Sequence, residues 1–220
     1  MDDFSFGDES KTIKYTKTCK EFDSLSYVAA ARSDDPSKER YSVLYAFDLD
    51  GVSVLAATDG RRVNYAPFQG GENYSVVKQT KTELVLEKLD DKYVELPAFN
   101  KVIPRDKDVF HVKPFDVCAY GFRDNAMEFL VECVYRLSNL DVVFRLRYLK
   151  DFVDALRSDG KIRILCPRAS SFSAWRVEHI DMLGNLLHGT VFMPIRGFYE
   201  LNDVRSPYAE NSGFKEYDGK

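Results

Sequence analysis

The residues that chemistry would first recruit are three histidines, four cysteines and one Asp-Gly turn behind an apolar strand. None of His111, His179 and His188 has a Cys, His, Asp or Glu at a metal-ligand spacing. Glu178 adjoins His179, but neighbours along a strand face opposite sides, so the histidines are read as surface or loop residues. Cys19, Cys118, Cys133 and Cys166 stand singly with no Cys-x-x-Cys pair, as expected of reduced, mostly buried thiols. There is no Gly-rich phosphate loop, no Gly-x-Ser-x-Gly elbow and no His-Glu-x-x-His. Thr58-Asp59-Gly60 resembles an aspartyl nucleophile only superficially, because Asp-Gly after a strand is turn chemistry. Trp175, the sole tryptophan, lies on an alternating strand and is expected in the core. The expectation is a non-enzyme with no catalytic residue, metal or cofactor.

The elements that would position these residues form an α+β pattern. At 220 residues and 45% hydrophobic content, the chain is long and apolar enough for one large domain or two small ones. Residues 12–17 alternate as a strand, and Thr18 with Glu21 forms a capping box that opens an amphipathic helix over 18–32. Tyr41 to Leu49 and Val52 to Ala56 alternate on either side of Asp50-Gly51, a type I′ hairpin signal. Two further strands follow at 74–78 and 83–89, then Leu96 to Pro104, whose prolines break any ladder. The stretch 109–122 fits strand or helix, and 124–138 has helical spacing. Residues 142–147 read as strand, 148–157 as a second amphipathic helix. Strands are expected at 161–166, 171–177 and 190–193, with a loop at 181–189. Antiparallel sheet with helices covering one face accounts for this order.

Two segments resemble a known family. Ala57-Thr-Asp-Gly-Arg-Arg-Val63, and Tyr148 to Leu156 followed by Met193-Pro-Ile-Arg196, are similar to elements of the bacterial DNA polymerase sliding clamp, its β subunit. Leu96-Pro-Ala-Phe-Asn-Lys-Val-Ile-Pro104 resembles that family's link between domains. The resemblance implies a sliding-clamp-like fold and a ring around duplex DNA, with helices lining the hole and sheets outside. It also implies a hydrophobic groove for DNA polymerase or other replication and repair proteins, built from Thr58, Asp59, Gly60, Arg62, Val63, Val191, Phe192, Met193, Pro194, Ile195 and Arg196. Apolar groups on and after strands suit an extended peptide, and methionine adapts to several. Arg62 would frame the rim or pair with an acid.

Charge bears on the DNA side. The chain carries 31 Lys and Arg against 35 Asp and Glu, a net charge of −4. Asp2, Asp3, Asp8 and Glu9 account for all of it, so residues 11–220 are neutral. From 141 to 168 seven basic residues face four acidic ones. Lys17, Lys20, Arg147, Lys150, Arg157 and Lys161 are therefore the candidates for weak, salt-sensitive contact with phosphates.

The expected organisation is a flexible acidic arm at 1–10, a clamp-like unit over 11–200 and a flexible tail at 201–220. Residues 11–69 and 141–200 would be clamp-like halves, and 70–140 either an insert or an eroded second module. No stretch approaches the roughly 18–20 apolar residues of a membrane span, and the acidic start is unlike a signal peptide. A soluble, cytoplasmic homo-oligomer is expected. The alternative is a clamp-fold interaction module that makes no ring and binds no DNA.

Overall fold

The computed structural model describes residues 11–33, 35–90, 97–111, 115–116, 146–156, 160–167 and 173–192. The strands are β1 (Thr12–Thr16), β2 (Val43–Leu49), β3 (Val52–Thr58), β4 (Arg62–Pro67), β5 (Tyr74–Gln79), β6 (Glu83–Lys88), β7 (Val109–His111), β8 (Phe115–Asp116), β9 (Gly160–Pro167), β10 (Trp175–Asp181) and β11 (Leu186–Phe192). They form one antiparallel sheet in the order β1-β6-β5-β2-β3-β4-β11-β10-β9-β7, with β8 also on β9. The helices are α1 (Phe22–Ala29), α2 (Phe99–Val102) and α3 (Leu146–Asp154), with a 3₁₀ segment at Pro36–Tyr41.

The hairpin over Asp50-Gly51 forms as its residues dictate. Both take positive φ, 52° and 86°, the type I′ signature. β3 then returns over β4 with Val63 opposite Thr58.

Alternation divides the sheet into two faces. On one, α1 buries Phe22, Leu25, Val28 and Ala29 against Leu44, Leu55, Ala57, Ala66, Leu84 and Leu86. On the same face α3 buries Tyr148, Leu149, Phe152 and Val153 against Ile162, Ile164, Trp175, Val177 and Phe192. The two helices meet where the Tyr27 ring packs edge-on against Phe152 at 6.2 Å. Each large apolar side chain so buried contributes about 1.5–3 kcal/mol. A helix of two turns has little stability alone, so this packing is what holds α1. Its C-terminal carbonyls find partners beyond the helix: on strands, Ser26 accepts from Gln79, Tyr27 from Asn64 and Ala30 from Arg62, and Ala29 accepts from Arg32 in the turn that follows.

The opposite, outer face carries Val43, Tyr45, Val54, Ala56, Val63, Tyr65 and Val191, covered by Phe99 and Ile103. There the Tyr65 ring crosses Gly189 on β11 and donates to Glu178 on β10, at 2.7 Å. A Cβ at Gly189 would overlap that ring. Gly189→Ala is therefore expected to cost about 1–2 kcal/mol as an overpacked core, read by urea unfolding; a change within 0.5 kcal/mol would mean the ring has room to move.

Several sequence expectations are corrected. The first helix spans 22–29, not 18–32. Its capping box does not form, because Thr16–Cys19 closes a tight turn and Thr18 Oγ1 bonds Thr16 Oγ1 at 2.8 Å. Leu146 and Arg147 begin α3 rather than ending a strand, so helical packing overrides the alternation there. The loop expected over 181–189 closes by Asn185, since Asp181 Oδ1 accepts from the backbone N–H of Leu183 and Asn185 at 2.8 Å each. β11 therefore starts at Leu186, and β10 starts at Trp175 rather than 171. The helix expected at 124–138, most of 109–122, Cys118 and Cys133 lie outside the described residues.

Candidate functional site

A cleft opens on the outer face where β3 turns into β4. Thr58 Oγ1 donates to the Arg62 carbonyl at 2.6 Å and accepts from Gly60 N–H at 2.9 Å. Asp59 Oδ1 accepts from the N–H groups of Arg61 and Arg62. These local bonds fix the turn, and Gly60 at φ 87° lets the Tyr41 ring pack against it. Val63 and Val191 lie opposite each other across β4 and β11 and supply the apolar floor. Pro97, Ala98, Phe99 and Val102 form one wall, Arg40 and Tyr41 the other. The cleft holds about 280 Å³. That is below the roughly 300–1,000 Å³ of small-molecule pockets, and it suits one or two side chains of an extended segment.

Three arginines and no carboxylate line this cleft. Arg62 lines it too, yet its guanidinium is buried towards the helices. It donates to Asp151 at 2.5 Å and to the Ala30 carbonyl at 3.1 Å, and stacks on Tyr148 at 4.8 Å. Arg62 thus ties α1, α3 and the β3–β4 turn together. Arg40 and Arg61 stay exposed, and among the described residues neither makes an ion pair.

The helix face is mixed in charge. Lys17, Lys20, Arg147 and Lys150 are exposed, but so are Glu21, Asp23 and Asp154, and Lys150 pairs with Asp154. Beneath the helices, His179 and His188 face each other across β10 and β11 at 4.9 Å and are fully buried, with 0% and 1% exposure. For these two the expectation of a surface or loop position is overturned: register turns both rings inward, and His188 packs against Tyr27 and Phe152. Burial first, and His179 second, push the His188 pKa well below its usual 6.5. Among the described residues no group of three or more His, Cys, Asp or Glu is placed to hold a metal ion.

The sequence matches no protein-family model and no curated protein. The structure does have likenesses. The β subunit of DNA polymerase III from Thermotoga maritima aligns over 89% of this chain and 70% of its own, with 14% identity and a TM-score of 0.51. This chain has the sliding-clamp fold. The C. crescentus β sliding clamp aligns over 88% of this chain and 68% of its own, at 16% identity and a TM-score of 0.49. The Bartonella birtlesii sliding clamp gives 84%, 66%, 15% and 0.48 in the same order. The chain therefore spans about two thirds of the length of these clamps.

Within the sliding-clamp fold, the residues expected in the groove divide between the two faces. Thr58, Gly60, Val63 and Val191 come together in the cleft, with Arg62 in its wall. Asp59 shapes the turn behind them. Phe192 does not join them, because it follows Val191 by one residue and points into the core with Tyr148 and Phe152. Met193, Pro194, Ile195 and Arg196 lie outside the described residues. Of the DNA-contact candidates, Lys161 is set apart: its neighbours Ile162 and Ile164 pack under α3, so alternation turns Lys161 to the outer face. Arg157 lies outside the described residues. The sequence missed Arg40, Tyr41, Phe99 and Val102 as cleft residues. Leu96 to Pro104 signalled the second pair through its prolines, whereas nothing local marked the first.

Proposed function

We propose that this protein is a sliding-clamp-type scaffold, acting through topology and partner binding rather than catalysis. Its helix face would turn towards duplex DNA, and its cleft would take an extended peptide from a DNA polymerase or another replication or repair protein. Copies of the chain would close an oligomeric ring in the cytoplasm. Residues 11–69 and 141–200 would be its clamp-like halves, with β5 and β6 of the 70–140 stretch completing the sheet of the first by pairing with β2 and β1. The observation that carries this reading is the Thr58–Val63–Val191 cleft on the sheet face opposite two adjoining helices. The near balance of charge on the helix face supports loose, non-specific contact with phosphates over tight binding. No helix among the described residues is long and apolar enough to cross a membrane.

The test is retention on nicked circular DNA before and after linearisation, with mass by light scattering. The expected outcome is an oligomer that stays on circles and runs off linear ends. A monomer that circles do not retain would sink the ring and leave the interaction module. In that case binding of a labelled peptide, lost in Val63→Asp, would still locate the cleft.

A further inference from the structure

The cleft and the chain's own first ten residues are complementary in two respects. The cleft presents arginines and no carboxylate around the apolar floor of Val63 and Val191 and the wall of Phe99 and Val102, with Arg40 and Arg61 exposed. Residues 1–10, MDDFSFGDES, carry Asp2, Asp3, Asp8 and Glu9 with no base, and Phe4 and Phe6 two positions apart. In an extended segment residues i and i+2 share a side, so both rings would meet one floor. The segment 201–220 is less suited, with four acids against three bases.

Strand register brings the two within reach. Thr12 pairs with Glu87, Glu87 with Ser75, and Ser75 with Val43. The β2–β3 register, with Tyr45 opposite Ala56, carries the same row on to Thr58 at the cleft. Four strand spacings of about 4.8 Å separate Thr12 from Thr58, about 19 Å. At about 3.3 Å per residue, Phe6 reaches about 20 Å from Thr12 and Phe4 about 26 Å.

We propose that residues 1–10 occupy the Thr58–Val63–Val191 cleft of their own chain, Phe4 and Phe6 on its floor and the carboxylates at Arg40 and Arg61. The arm is then an internal competitor that any partner peptide must displace. This rests on the cleft being a site for extended peptides, as proposed above. Linkage within one chain gives the arm an effective concentration in the millimolar range, enough to mask a site of moderate affinity.

Two measurements on the full chain test it. With p-benzoylphenylalanine in place of Phe4, ultraviolet light should cross-link the arm to peptides spanning 58–63, 97–102 or 186–192 of the same molecule. Cross-links elsewhere overturn the proposal, as does a cross-linked dimer, which would make a second copy the occupant. The second probe is the labelled synthetic peptide MDDFSFGDES, added to wild type and to the Phe4→Ala/Phe6→Ala variant. The variant should bind it about tenfold more tightly, because its cleft is free. Equal affinity, with binding lost in Val63→Asp, overturns arm docking and leaves the cleft as a peptide site. Binding to neither chain overturns the peptide site itself.

Discussion

Replacing Arg176 with methionine is expected to destabilise the protein by about 3–5 kcal/mol, the range for breaking a buried ion network from one side. Arg176 is 3% exposed and Glu178 is 0% exposed. The guanidinium donates to Tyr65 at 3.0 Å, Glu178 at 2.8 Å, Asp50 at 2.9 Å, the Pro104 carbonyl at 3.0 Å and Asp106 at 3.1 Å. Burial alone opposes the Arg176 charge, yet Tyr65, Glu178 and Asp50 outweigh it and raise its pKa. Burial and the Glu178 charge likewise raise the Tyr65 hydroxyl well above its usual value. Methionine matches the stem but leaves Glu178 with Arg163 and Tyr65 alone, and leaves the Pro104 carbonyl without this donor. Arg176→Lys should fall in between, since an ammonium cannot serve five acceptors in one plane. The double variant Arg176→Met/Glu178→Leu should recover part of the loss, because it removes a buried carboxylate that would otherwise keep only Arg163 and the Tyr65 hydroxyl as partners. Urea unfolding at constant m-value reads all three. A loss under 1 kcal/mol in Arg176→Met would mean that the network is solvated. The consequence reaches the cleft: Pro104 and Asp106 follow α2, whose Phe99 and Val102 form one wall. Loosening Arg176 should weaken peptide binding before the fold is lost.

What could be read in the sequence was local. Asp50-Gly51 dictates its own φ values, and Thr58-Asp59-Gly60 makes its turn from bonds within five residues, so the hairpin and half of the cleft were legible. The rest depends on partners far along the chain. Arg176 and Glu178, two apart on a strand, look like an exposed charged stripe until Tyr65 and Asp50 arrive from 111 and 126 residues away. Val191 and Phe192 are both apolar, and only pairing with Val63 and Arg62 decides which faces the cleft. Thr18 and Glu21 satisfy the capping-box pattern, but the tight turn at Thr16–Cys19 leaves no room for it. The sliding-clamp resemblance rested on the local motifs, which is why it held while the histidines were misplaced.

Those histidines carry the second large effect: stability is expected to fall as pH drops below about 6.5, and His188→Phe should remove part of that fall. His188 is buried neutral under Tyr27 and Phe152, beside His179, with its pKa well below 6.5 for reasons of burial and of that neighbour. The unfolded chain protonates near the usual value, so below it the unfolded state binds a proton that the folded state refuses. The sign follows: this contribution is intact above about pH 6.5 and is lost on acidification by about 1.4 kcal/mol per pH unit, until the folded pKa is reached. Phenylalanine keeps the aromatic contacts and cannot titrate, so the urea midpoint of His188→Phe should vary less over that range. Carboxylates that lose partners in acid act equally on both proteins and cancel in the comparison. Identical pH profiles would mean that the folded protein accommodates the charge on His188. If the wild type does follow the steeper slope, protonation acts where α1 and α3 meet the sheet, because His188 touches Tyr27 of one helix and Phe152 of the other. Hydrogen exchange in α1 should then rise in mild acid before the strands of the sheet open.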